Sequence, residues 1–109
     1  MEERMKSIFA ACLVICAFAP FRAEAQSFPC SRARTADEIA ICQNSGLAAL
    51  DMRLHNTYER VRGRLSGRAR QMLADEELGW LNSRRRCGGD VGCIEDSYRQ
   101  RIQELNSNY

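Results

Sequence analysis

At 109 residues the chain has room for one domain, and a formal net charge of +2 is too weak to imply nucleic acid or an acidic polymer as partner. Residues 26–109 carry 13 Arg, no Lys and 11 Asp plus Glu, so the same weak balance holds once the first segment is set aside. No internal repeat, strand-period segment or low-complexity run appears.

Arg4 and Lys6 precede an apolar run from Ile8 to Phe21, and Ala23-Glu24-Ala25 supplies a small-x-small cleavage site. This pattern predicts a secretory signal over residues 1–25, with the exported domain occupying residues 26–109. A retained membrane anchor is the weaker reading, because the run is shorter than the roughly 20 residues a spanning helix needs. Lipidation fits poorly: Cys16 follows the branched Ile15, and Cys12 lies too close to Lys6 for a signal of ordinary length. The expected location is therefore periplasmic or secreted.

Cys30, Cys42, Cys87 and Cys93 remain after cleavage before Gln26. An even count in a small exported chain reads as two disulfides, which supplement a modest core. Four cysteines allow three connectivities. Cys30–Cys42 and Cys87–Cys93 would contribute roughly 2–3 kcal/mol each, and a long link such as Cys42–Cys87 about 4 kcal/mol. The local pairs are favoured because each ties an arm or a turn to its neighbouring helix. The long link stays open, since a helical hairpin could return Cys87 to the end where Cys42 lies.

Gln26 to Arg34 has Pro29 and no apolar period, which predicts an irregular arm. Thr35-Ala36-Asp37-Glu38 has the form of a capping box, so a short helix should begin there, with Ile39 and Cys42 on adjoining faces. Asn44-Ser45-Gly46 should end it, and Ser45 or Asn44 can cap the next helix. That helix is expected over Leu47–Leu65. Leu47, Leu50, Leu54, Tyr58, Val61 and Leu65 recur at steps of three and four, which places them on one stripe.

After a break at Ser66-Gly67, a third helix is predicted from about Arg68 to Arg86. Its apolar stripe is looser: Ala69, Met72, Leu73, Trp80 and Leu81. The short link implies an antiparallel pair, with Trp80 filling the gap between packed helices. Cys87 to Cys93 forms a glycine-rich turn. A fourth helix carries Ile94, Tyr98, Ile102 and Leu105, and the chain should fray from Asn106 to Tyr109. The expected fold is all-α: a small disulfide-stapled bundle of about four helices around a central antiparallel hairpin.

Candidate reactive groups have simpler explanations. The single histidine, His55, sits one position off the apolar stripe and reads as a half-buried helix residue. Ser45, Ser66, Ser83 and Ser97 read as caps, turns or solvated faces, so no triad is expected. A zinc site from Cys42, Cys87, Cys93 and His55 would need wider ligand spacing than usual, and no metal or other cofactor is predicted. Asp75, Glu76 and Glu77 read as a solvated acidic face, and Arg84, Arg85 and Arg86 as cations suited to a helix C-terminus.

The cysteine-framed blocks resemble the N-terminal domain of the LprI-type lysozyme inhibitor family. Phe28 and Cys30 with Ala33, Thr35, Glu38, Ala40, Ile41 and Cys42 are similar to its opening. Leu47-Ala48-Ala49-Leu50-Asp51 is similar to its second block. Glu76, Trp80-Leu81, Arg84 and Cys87 are similar to its third, and Cys93, Tyr98, Arg101-Ile102 and Leu105 to its fourth. Pro29 stands where relatives commonly have Asp, and Asn44-Ser45-Gly46 replaces an Asp-Pro-Glu helix start.

The resemblance implies an exported binding protein that inhibits a cell-wall hydrolase by occupying its cleft, without catalysis. The rival reading is an envelope adaptor or structural domain with another protein partner. Animal lysozymes are strongly basic, so contact through a local acidic face is expected: Asp75, Glu76 and Glu77, with Asp51 or Glu59. Arg84 and Arg85 are further candidates, as is insertion of the Gly88–Gly92 loop.

Overall fold

In the computed structural model, residues 27–109 are described; the predicted signal segment and its cleavage site, with Cys12 and Cys16, lie outside them. The arm folds into a 3-10 turn, Cys30–Arg32. Helix α1 spans Ala36–Gln43, α2 Ser45–Arg64, α3 Gly67–Arg85 and α4 Val91–Asn108. Among the described residues there is no strand. No helix there is long and apolar enough to cross a membrane.

Local chemistry sets these boundaries. Thr35 and Glu38 close a capping box at the start of α1, where the Glu38 carboxylate accepts from the backbone N–H of Thr35 at 3.2 Å and of Arg34 at 2.9 Å. Those N–H donors hold the Glu38 carboxyl below the usual carboxylate range. Asn44 caps α2 by accepting from Leu47 N–H at 3.0 Å, and Asp90 caps α4 by accepting from Cys93 N–H at 3.0 Å. The link between α2 and α3 is only Leu65 and Ser66, after which Gly67 takes φ +57°.

Nothing stands within 4 Å of a Cβ added at Gly67, so alanine there would suffer backbone strain alone. We expect Gly67→Ala to lower stability by about 1 kcal/mol, read as a lower urea midpoint at unchanged slope.

The sulfur pairs are local: Cys30–Cys42 and Cys87–Cys93. The first pins the arm to α1, and the second closes the glycine-rich turn onto the first turn of α4. The core then assembles where the stripes of α2 and α4 meet. Leu47, Leu50, Leu54 and Val61 pack with Ile94, Tyr98, Ile102 and Leu105, and Ile41 and Leu73 complete the cluster.

Features of α1 and of the C-terminus depart from expectation. In α1 the core residue is Ile41, at 0% exposed, whereas Ile39 faces solvent. The C-terminus does not fray at Asn106; α4 continues to Asn108, Ser107 Oγ donates to Gln103 O, and Tyr109 Oη donates to Glu76 at 2.8 Å.

The helical hairpin is present, yet its halves pack differently from a closed pair. Helix α2 lies mainly against α4 and α1, and touches α3 little beyond the turn. Of its 19 residues, α3 buries only Leu73 and Arg84, and leaves Met72 and Leu78 exposed. Trp80 fills a gap between α3 and α4: its Nε1–H donates to Ser97 O at 3.1 Å and its ring lies 5.1 Å from that of Tyr98.

Candidate site: the groove between α2 and α3

Because α3 leans on α4 instead of α2, a groove of about 530 Å³ remains between α2 and α3. One wall is the face of α2 bearing Asp51, Leu54, His55, Tyr58 and Glu59, which follow the three-and-four spacing of one helix side. The other is α3, through Ala74, Glu77, Leu78 and Leu81. Phe28 of the arm and Glu38 of α1 close one end, and Trp80 and Arg84 contribute to the lining. The surface is mostly hydrocarbon with carboxylates set into it.

A line of buried polar contacts holds the walls in place. Arg84 Nε donates to Asp37 Oδ2 at 2.8 Å, and Arg84 Nη1 donates to Tyr98 Oη at 3.0 Å. Tyr98 Oη donates to Asp51 Oδ1 at 2.8 Å, and the backbone N–H of Ser27 donates to Asp51 Oδ2. The Arg84 guanidinium also lies 5.5 Å from the Trp80 ring centroid and 5.8 Å from that of Tyr98. One chain of contacts therefore ties α1, α3, α4, α2 and the arm together. Its charged members are closed off from solvent, with Asp37 0%, Asp51 3% and Arg84 4% exposed.

Burial alone would push the Asp37 carboxyl up. The Thr35 hydroxyl, donating at 2.5 Å, and the Arg84 guanidinium outweigh it and leave the carboxyl below its ordinary range. Burial, reinforced by the Asp51 charge, drives the Tyr98 phenol far up, so it stays a donor. Burial also raises the Glu77 carboxyl, although Arg101 Nε donates to it at 3.0 Å. A second face of Arg101 approaches Glu76 at 3.8 Å, and its Nη2 is buried without a partner among the described residues.

These shifts set a pH profile. The Asp37 contribution is complete above its unfolded pKa, near 4, and is lost as pH falls further. Glu77 works in the opposite sense, since a raised carboxyl contributes stability below its unfolded pKa and loses it as pH rises. The Tyr98 contribution is complete below about pH 10 and is lost above it. We expect the urea midpoint to fall as pH rises beyond about 10, and Tyr98→Phe to flatten that fall.

The sequence-derived contact candidates separate. Glu77 lines the groove, as do Asp51 and Glu59. Asp75 and Glu76 are exposed on α3, and Arg85 is exposed near its end. Arg84 is buried at the groove's base, held by Asp37. His55 is exposed on the α2 wall, where a half-buried position was expected. Gly89 and Gly92 of the glycine-rich turn are exposed and Gly88 half-buried. Sequence reasoning did not find the groove or its Phe28, Ala74 and Leu78. Ala74, Leu78 and Leu81, at steps of four and three, were the available signal.

Charge is unevenly shared. Arg60, Arg62, Arg64, Arg68 and Arg70 gather around the α2–α3 turn. The groove lining holds Glu38, Asp51, Glu59 and Glu77 against Arg84; from outside it, Asp37 matches Arg84 and Arg101 matches Glu77. The net charge of +2 thus conceals an acidic groove.

The described residues form an all-α scaffold closed by two disulfides, with one helix largely unburied beside an open groove. The sequence profile of the lysozyme inhibitor LprI family matches residues 30–105, and the chain belongs to that family. No curated protein and no solved structure matches the chain.

Proposed function

We propose that this is an exported protein of the periplasm or the secreted fraction that binds a lysozyme-type cell-wall hydrolase and blocks access to its cleft, without catalysing a reaction. Membership of the lysozyme inhibitor LprI family supports the target class. The observation that carries the binding mode is the apolar, carboxylate-bearing groove beside the sparsely buried α3. A helix that buries only two of its residues at home has surface left for a partner.

Several groups that could otherwise serve chemistry are engaged structurally, with His55 on the groove wall the exception. All four described cysteines are in disulfides, and Asp37, Arg84, Tyr98 and Asp51 bond to one another. The contact face we assign runs from Glu77 in the groove to Asp75 and Glu76 on α3, with Arg85 at its edge and Arg84 holding the base. Two disulfides favour an oxidising compartment, which supports export.

The test is turnover of cell walls by several lysozyme types in the presence of the oxidised chain at tens of micromolar. We expect at least one type to be slowed. Unchanged turnover for all of them would overturn the inhibitor reading in favour of an envelope adaptor.

A further inference from the structure

We propose that the occupant of the α2–α3 groove is a cationic segment of a protein partner, in which an Arg or Lys is flanked by apolar side chains. The proposal rests on the reading of this groove as a binding face and adds the chemistry of what enters it. Leu54, Leu78 and Leu81 offer hydrocarbon on both walls, and Glu59 and Glu77 offer carboxylates on the same walls.

The balance of charge selects the sign of the occupant. Four carboxylates line the groove against one guanidinium; outside the lining Asp37 matches Arg84 and Arg101 matches Glu77, which leaves the lining acidic. Glu59 is exposed and held only by a loose 3.6 Å contact with Arg62, so its carboxylate is open to an incoming cation. Glu77 is already met by Arg101 Nε at 3.0 Å, so Glu59 is the carboxylate left to meet the incoming cation, with Glu77 beside it on the facing wall. An acidic segment would bring like charge into a half-enclosed space, which is costly. Arginine suits the site better than lysine, because a planar guanidinium can meet a carboxylate in two contacts.

Trp80 is the chain's single tryptophan and lines the groove, so its fluorescence reports occupancy. The exported, oxidised chain is titrated with a peptide of alternating leucine and arginine, with its leucine–glutamate counterpart, and with a basic animal lysozyme. Leu78→Arg and Glu59→Lys alter exposed positions, and far-UV circular dichroism confirms that both variants fold.

We expect a saturating Trp80 response to the leucine–arginine peptide and none to the leucine–glutamate peptide. Either substitution should weaken it by roughly tenfold or more, as should raising salt from about 50 to about 300 mM. Equal response to both peptides, or no response to the arginine peptide, would overturn the inference. So would self-association of the chain that Leu78→Arg abolishes, since the occupant would then be a second copy. If the arginine peptide binds as described while lysozyme turnover is unaffected, the inference stands and the inhibitor reading fails. If lysozyme is inhibited equally by the wild type and by both variants, the inhibitor reading stands and the inference fails.

Discussion

Arg84→Ala is expected to lower the unfolding free energy by about 3–5 kcal/mol, because it strands Asp37 as a buried charge with no cation beside it. Small domains unfold at about 5–15 kcal/mol, so this one change would bring the protein close to its limit. Asp37→Ala should cost a similar amount, by stranding Arg84. The double variant should lose far less than the sum of the two, since neither charge is then left behind. Urea denaturation of the three variants measures each term. A loss below about 1 kcal/mol for Arg84→Ala would mean that the pair is solvated and does not organise the fold.

Reducing both disulfides is the second large effect expected. The loops closed by Cys30–Cys42 and Cys87–Cys93 have separations of 12 and 6 residues. Each link then contributes roughly 2–3 kcal/mol, so the reduced chain loses about 5 kcal/mol in total. The larger consequence falls on the arm, because Phe28 packs on the core and Ser27 N–H reaches Asp51 only while Cys30 is tied to α1. Reduction should therefore release the arm and open the Phe28 end of the groove before α2 and α4 separate. Circular dichroism at 222 nm together with Trp80 fluorescence would follow both events. Retention of full stability by the reduced chain would contradict the claim that sulfur bridges supplement a modest core.

Much of this architecture was legible because helical periods are long enough to fix a phase. In α4, Ile94, Tyr98, Ile102 and Leu105 read as one stripe and are all buried. The stripe of α2 read equally well through Leu47, Leu50, Leu54 and Val61. Helix α1 is only eight residues long, too short for periodicity to choose between Ile39 and Ile41. Its orientation follows from long-range ties, the Asp37–Arg84 ion pair and the Cys30–Cys42 link, which spacing does not encode.

The third helix explains why the groove was not read. Its apolar residues fall on more than one side: Leu73 enters the core, Trp80 leans on α4, and Ala74, Leu78 and Leu81 border open space. A stripe states which face is apolar but not which neighbour covers it. The polar network left a partial signal, because Asp51 and Arg101 sit within apolar stripes beside Leu50 and Ile102. Charged residues at such positions require partners, but nothing in local sequence assigns Asp51 to Tyr98 or Asp37 to Arg84. Asp51, Glu59 and Glu77 are visible in the sequence as acidic residues of two helices, but only the fold shows that the turn brings them to facing walls.

On the proposed reading, the groove between α2 and α3 is the face that meets the partner. Amide chemical-shift mapping of the oxidised, isotope-labelled chain against a lysozyme that it inhibits tests this most directly. We expect the largest shifts at Leu54 to Glu59 and Ala74 to Leu81, with Phe28 and the Trp80 indole N–H moving with them. Shifts confined to the arginine-rich turn or to Gly88–Cys93, with the groove amides unmoved, would contradict it.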